Sequence, residues 1–385
     1  MRVKDKEQVT PEIDDLDDNY YTKTSCSLLS WGDFLCTQME NWSLKHSPLH
    51  VDVVSGSNRL ESISEDSVTT ERQTDLLTNF IPTLRSGEWS DIGGRPYMED
   101  THICIADLAK NFGCELVSEE AISFYGEQVF DGHGGKDASH FVRDHLPRVI
   151  VEDVDFPLEL EKAVTRSFME TDAAFAKSCS LESSLASGTT VLTAMIFGRS
   201  LLVANAGDSR AVLSWHGRAI EMSKDHRPCC MKERRRIEAL GGFVDDGYLN
   251  GQLGVTRALG DWHIEGMKET GERIGPLSAE PELKMITLTK EDEFLILGSD
   301  GIWDVFTSQN AIDFTRRRLQ EHNDVKLCCK EIVEEAIKRG ATDNLTVVVV
   351  CFHLEPPQPS VRQSGRVRRS ISAEGLQSLK CLLEG

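Results

Sequence analysis

The sequence predicts an α+β layered domain, antiparallel sheet covered by helices, over about residues 85–355 of the 385-residue chain. Three observations point there. Short apolar runs rich in β-branched residues follow one another at turn-length intervals, as in strands joined by tight turns. Two longer segments repeat their apolar residues every three or four positions, the period of a helix packed by one face. The helical segments bracket the strand runs rather than alternate with them, which favours antiparallel over parallel sheet.

The strand runs come first. TVLTAMIF, LLVANAG (201–207), RAVLSW (210–215) and AIEMS (219–223) are separated only by GRS, DS and HGR, and read as an antiparallel meander. EFLILGSD (293–300) and NLTVVVVCFHL (344–354) are two further strands. THICIA, after Glu99 and Asp100, is another candidate. Among the helices, PLELEKAVTRSFMETDAAFAKS places Leu160, Val164, Phe168 and Phe175 at helical spacing with Pro157 near its start. DVKLCCKEIVEEAIKRG carries one stripe from Val325 through Cys328, Ile332 and Ala336 to Ile337, with Gly340 as its C-cap. Cys328 reads there as a small core residue.

Outside this domain the texture changes. Residues 1–84 are polar and acidic and read as a mostly disordered arm, the other reading being a docking arm that uses its Trp and Phe residues. Residues 356–385 form a basic tail rich in Ser, Pro and Arg. The formal net charge of -21 argues against a broad nucleic-acid-binding face. Eleven scattered cysteines without a Cys-x-x-Cys suit a reducing compartment, cytoplasm or nucleus. Neither a secretory leader nor an apolar run of membrane-spanning length stands out.

The acidic residues carry the chemistry. Asp131 ends the apolar pair Val129-Phe130, Asp208 follows LLVANAG, Asp300 follows FLILGS, Asp343 precedes LTVVVV, and Glu99-Asp100 precede THICIA. Any one of them is a plausible turn residue. Together they are carboxylates at strand ends, which converge if two sheets pack face to face. Such a cluster repels itself and calls for cations, and an all-oxygen site selects Mg²⁺ or Mn²⁺. Two such ions about 3.5–4 Å apart can activate a water and clamp a phosphoryl group.

Eight segments in order then establish a resemblance: GRPYMED, VFDGHGG, SGTTVL, ANAGDSRAVL, KDHRP, GVTRALGDW, GSDGIWDV and ATDNLTVVVV. Across about residues 88–354 the chain resembles the metal-dependent type 2C protein serine/threonine phosphatases, plant members most closely. The resemblance implies a four-layer αββα sandwich and hydrolysis of phosphoserine and phosphothreonine on phosphoprotein substrates by a monomer. It implies that Asp131 bridges two metal ions, with Glu99 and the Gly132 carbonyl on one and Asp300 and Asp343 on the other. It makes Asp100 the holder of a water, and Asp208 with Asp304 the site of a third ion. Arg95 would bind the substrate phosphate and His133 would protonate the leaving oxygen. Asp261 and Trp262 would lie in the substrate flap.

Three other readings stand beside it. Cys230 and Arg236 have the Cys-x5-Arg spacing of thiol phosphatases, although MKERRRIEAL reads as a charged helix rather than a phosphate loop. Glu127 and Gln128 separate FYG from VFDGHGG, where the family usually runs straight on. An insertion of two preserves the strand's alternation but calls for a bulge or a longer strand. It is the one feature favouring a catalytically impaired scaffold protein. Arg362, Arg366, Arg368 and Arg369 offer an added nucleic-acid role. Alternatively, with Ser370 and Ser372 as phosphosites, they offer a docking site for a phosphopeptide-binding partner.

Overall fold

The structure is a computed structural model and describes residues 80–114, 121–129, 135–181, 185–268 and 275–359. The N-terminal arm before residue 80 and the tail with Ser370 and Ser372 lie outside the described residues.

The chain opens with β1 (Arg85–Asp91), β2 (Thr101–Ile105), a short α1 (Leu108–Asn111) and β3 (Ile122–Val129). Two long helices follow, α2 (Asp137–Glu152) and α3 (Leu160–Leu181). Then come β4 (Gly188–Phe197), β5 (Ser200–Ala206), β6 (Arg210–Trp215) and β7 (Arg218–Glu221). A smaller lobe holds α4 (Met231–Ala239) and the short strands β8 (Val244–Asp245) and β9 (Tyr248–Leu249), after which β10 (Leu259–Gly260) pairs antiparallel with the start of β4. β11 (Glu282–Thr287), β12 (Asp292–Gly298), α5 (Asp300–Trp303), α6 (Ser308–His322), α7 (Val325–Lys338) and β13 (Leu345–Cys351) complete the order.

One sheet runs β1-β13-β12-β6-β7 and the other β11-β5-β4-β3-β2, with antiparallel pairing throughout. Three apolar clusters make the layers. Leu192, Ala194 and Val203 of one sheet meet Leu213, Leu297 and Val348 of the other in the central core. Phe294, Ile296 and Val349 face outward onto Ile312, Leu319, Ile332 and Val333 of α6 and α7. Phe124, Val191 and Met195 face Val142, Leu146, Val164 and Phe168 of α2 and α3 on the opposite side. This is the αββα order. Both faces of β4, β12 and β13 are covered, which is why these strands read as unbroken apolar runs; each fully buried aliphatic side chain contributes ~1.5–3 kcal/mol. Cys328 and Cys329 lie in that packing, and burial pushes both thiols up, away from the reactive thiolate.

The meander read from residues 190–223 is two hairpins in different sheets. β4 pairs with β5 in one sheet and β6 with β7 in the other. The chain crosses between sheets at Gly207-Asp208-Ser209, where Gly207 adopts φ 140. A side chain there would strike Thr190 at 2.2 Å, so only glycine fits the crossing.

The Glu127-Gln128 pair forms no bulge. β3 pairs with β2 from Thr101↔Gln128 to Ile105↔Phe124 and with β4 from Ile122↔Phe197 to Val129↔Thr190, without a register shift on either side. Deleting both residues should therefore keep the alternation, leaving Tm within a few degrees at ~2–4 °C per kcal/mol. Deleting Gln128 alone exchanges inward and outward faces and should lower Tm far more. Thermal melts of the two variants decide this, and equal losses would count against continuous pairing.

Candidate active site

Antiparallel pairing brings the acidic strand ends to one edge of the sandwich. Glu99 and Asp100 precede β2, Asp343 precedes β13, and Asp208 lies at the crossing from β5 to β6. Asp300 opens α5 directly after β12, and Asp304 is that helix's C-cap. The registers Thr101↔Gln128, Val191↔Ala206, Gly298↔Arg210 and Gly298↔Val347 align these ends. β3 also finishes here, at Val129. Asp131, Gly132 and His133, which follow it, lie outside the described residues.

Arg95 and Asp343 are joined at 2.6 Å between Nη2 and Oδ2. The bond and charge of Asp343, with smaller help from Asp300 and Glu99, raise the Arg95 pKa. The predicted phosphate-binding arginine and three predicted metal carboxylates thus share one locality. Asn344 fixes the loop that carries Arg95. Its Nδ2 donates to the carbonyls of Ile92 (2.9 Å) and Tyr97 (3.1 Å), and its Oδ1 accepts from the Glu99 N–H (2.7 Å). Gly301 lets α5 approach closely, since a Cβ there would lie 2.2 Å from the Asn344 carbonyl.

Asp100 is buried, and among the described residues neither of its carboxylate oxygens finds a hydrogen-bond partner. Burial pushes its carboxyl well above the usual range, and the charges of Asp300 and Asp343 add to this. The hydroxyls of Thr346 and Ser299 work against the rise, but Thr346 Oγ1 donates instead to Ser90 (2.9 Å) and Ser299 Oγ to the Thr346 carbonyl (3.5 Å). An orphaned buried acid among carboxylates is what a cation or a bound water would satisfy. The all-carboxylate set fits a hard divalent ion, although among the described residues no three His, Cys, Asp or Glu side chains close on one point.

Arg227, to which the sequence assigned no role, sits among the other acids. Its Nη2 lies 3.0 Å from Asp208 Oδ2, 3.8 Å from Asp300 Oδ2 and 3.7 Å from Asp304 Oδ1. The only sequence signal was its place in KDHRP. His226 locks that segment to the crossing: its N–H donates to the Gly207 carbonyl (2.9 Å), and its Nδ1 accepts from the Gly207 N–H (3.2 Å). That leaves Nε2 to donate to Glu282 (3.3 Å), while burial lowers the imidazole pKa and keeps it neutral.

Residues 92–345 match the family description Protein phosphatase 2C. The chain belongs to the protein phosphatase 2C family. Probable protein phosphatase 2C 27 of Oryza sativa subsp. japonica is 72% identical over 327 residues, covering 85% of this chain and 92% of the relative. Probable protein phosphatase 2C 22 of Arabidopsis thaliana is 60% identical over 312 residues, covering 80% of this chain and 79% of that one. Among solved structures, a C. elegans sex determining protein superposes with TM-score 0.61 at 25% identity, covering 77% of this chain and 71% of that one. Serine-threonine phosphatase 2C from Toxoplasma gondii superposes with TM-score 0.59 at 21% identity, covering 72% and 98%. The protein is accordingly a plant-type protein serine/threonine phosphatase. Among the described residues, no helix is long and apolar enough to cross a membrane.

In this phosphatase the two predicted flap residues face inward. Asp261 is 2% exposed in a left-handed turn (φ 57), and Trp262 is half-buried against Ala138 and Phe175. Asp172 of α3 gathers the segment. Its Oδ1 accepts from the Gly260 N–H (2.7 Å), Trp262 Nε1 (3.0 Å) and Lys268 Nζ (2.8 Å). Lys268 also donates to the Ala258 carbonyl (2.8 Å). The smaller lobe has its own anchor in buried Glu233. Burial opposes its charge, but bonds from Arg257 and the charge of Arg236 win and hold its carboxyl at about 2. Arg236 is occupied by Glu233 and by the Thr256 and Pro276 carbonyls, so the thiol-phosphatase reading through Cys230 and Arg236 fails.

Lys268→Met would strand the Asp172 carboxylate in the interior and should cost ~3–5 kcal/mol in urea unfolding. Combining it with Asp172→Asn should recover much of that loss, because no unpaired charge remains. A double variant as unstable as Lys268→Met would show that the pair's charge does not hold the segment.

Proposed function

We propose that the chain hydrolyses phosphoserine and phosphothreonine on phosphoprotein substrates with Mg²⁺ or Mn²⁺ held by Glu99, Asp131, the Gly132 carbonyl, Asp300 and Asp343. The observation that carries this reading is the bond between Arg95 and Asp343, with Asp300 and Glu99 close enough to reinforce its charge. When bound, two such ions supply a water acidic enough to attack phosphorus and positive charge for the phosphoryl oxygens.

The chain's own side chains account for the remaining steps. Arg95 is 45% exposed, and its planar fork suits two phosphoryl oxygens. Phosphate then competes with Asp343 for the guanidinium, so substrate capture favours a state in which Asp343 is neutralised by something else. His133 in its protonated form gives its proton to the departing Ser or Thr oxygen as the P–O bond breaks. Asp100 holds a water beside the ligand carboxylates. On the same reading the protein works as a monomer in cytoplasm or nucleus, and its tail presents Ser370 and Ser372 to a phosphopeptide-binding partner.

Turnover of a phospho-Ser/Thr peptide should appear with Mn²⁺ and vanish with EDTA; absent or chelator-resistant activity would favour the scaffold reading. His133→Ala should slow the phosphopeptide ~10²–10⁴-fold and an aryl phosphate much less, because that leaving group needs little protonation. Equal losses on both substrates would remove His133 as the proton donor.

A further inference from the structure

We propose that Arg227 is a built-in cation between Asp208, Asp300 and Asp304, standing where the resemblance assigns a third divalent ion. The proposal rests on the metal reading above.

The geometry argues first. A divalent ion such as Mg²⁺ needs carboxylate oxygens at ~2.0–2.1 Å. Here three carboxylates surround one guanidinium nitrogen at 3.0, 3.8 and 3.7 Å. That spacing suits an N–H donor shared among acids and is too wide for a small ion at the same point. An ion could enter only by expelling Arg227 and drawing the carboxylates inward.

The second support is that Arg227 is directed to this place. Its neighbour Asp225 is already engaged by Arg210, through Nε at 2.8 Å and Nη2 at 2.7 Å. With Asp225 so engaged, its charge acts on Arg227 less than those of Asp208, Asp300 and Asp304. His226 ties residue 226 to Gly207, the residue before Asp208, so Arg227 and Asp208 are held together by backbone bonds independent of their charges. A third bond, from the Thr256 N–H to the His226 carbonyl (2.8 Å), pins the segment from the smaller lobe. Asp208 is almost fully buried, so its pair with Arg227 is only weakly screened, whereas Asp304 is exposed and adds less.

A consequence follows for the neighbouring ions. Asp300 belongs to both groups, and a fixed positive charge beside it weakens its attraction for a metal. Arg227 is thus a positioning residue that sets ion number and affinity.

Mn²⁺ titration calorimetry and metal analysis on the full chain test this. The wild-type protein should hold about two ions. Arg227→Met should hold about one more and show a lower Tm in EDTA, with saturating Mn²⁺ restoring most of the difference. Arg227→Lys should keep the wild-type ion number, and adding Asp304→Asn to Arg227→Met should remove the extra ion. A wild-type chain that already binds the extra ion, or an Arg227→Met chain that gains none, would overturn the proposal and leave the metal reading standing. A wild-type chain that binds no Mn²⁺ would overturn both.

Discussion

Carboxylates brought to one edge of a sandwich repel one another, and the rest of this structure is arranged around holding them there. The antiparallel registers decide the gathering, because each strand that leaves the edge is followed by one that returns to it. What keeps the gathering tolerable is counter-charge. Arg95 takes Asp343, and Arg227 takes Asp208 while reaching toward Asp300 and Asp304. Asp100 has no such partner among the described residues, and burial raises the pKa of its carboxyl.

Around that edge the supports are neutral or buried. His226 is kept uncharged by burial and serves as a strut between the sheet crossing and the segment carrying Arg227. Glu233 and Asp172 are acids of a different kind, each fully engaged by basic side chains, and they fasten the smaller lobe and the segment around Asp261. These acids thus fall into two groups. One is saturated by its own arginines and lysines and has no capacity left. The other stays only partly compensated, at the strand ends where the catalytic residues are expected.

Much of this could be read before the structure. The strand ends stood out because Asp follows unbroken apolar runs, and α3, α4 and α7 announced themselves by period or charge. The sheet crossing did not, because a turn of Gly207-Asp208-Ser209 looks the same whether the next strand returns to its own sheet or enters another. Asp172 and Lys268 are 96 positions apart, and nothing local marks either as the other's partner. Arg227 was hidden for a third reason. KDHRP marks a family segment but not a partner for its arginine, and the pairing shows only once Arg210 is seen to hold Asp225 and His226 to be tied to Gly207.

Asn344 carries one more implication. It is a neutral side chain whose bonds tie three backbone groups of the 92–99 loop to the residue that leads into β13. β13 is a central strand, paired on both sides. Strands of that kind open to solvent only with near-global unfolding, while loops ordinarily open at little cost. The Glu99 amide, held by Asn344, therefore inherits the protection of the core, and its hydrogen exchange should be slow for a residue in a connecting loop. The loop that presents Arg95 is irregular in its path but fastened to the core through Asn344.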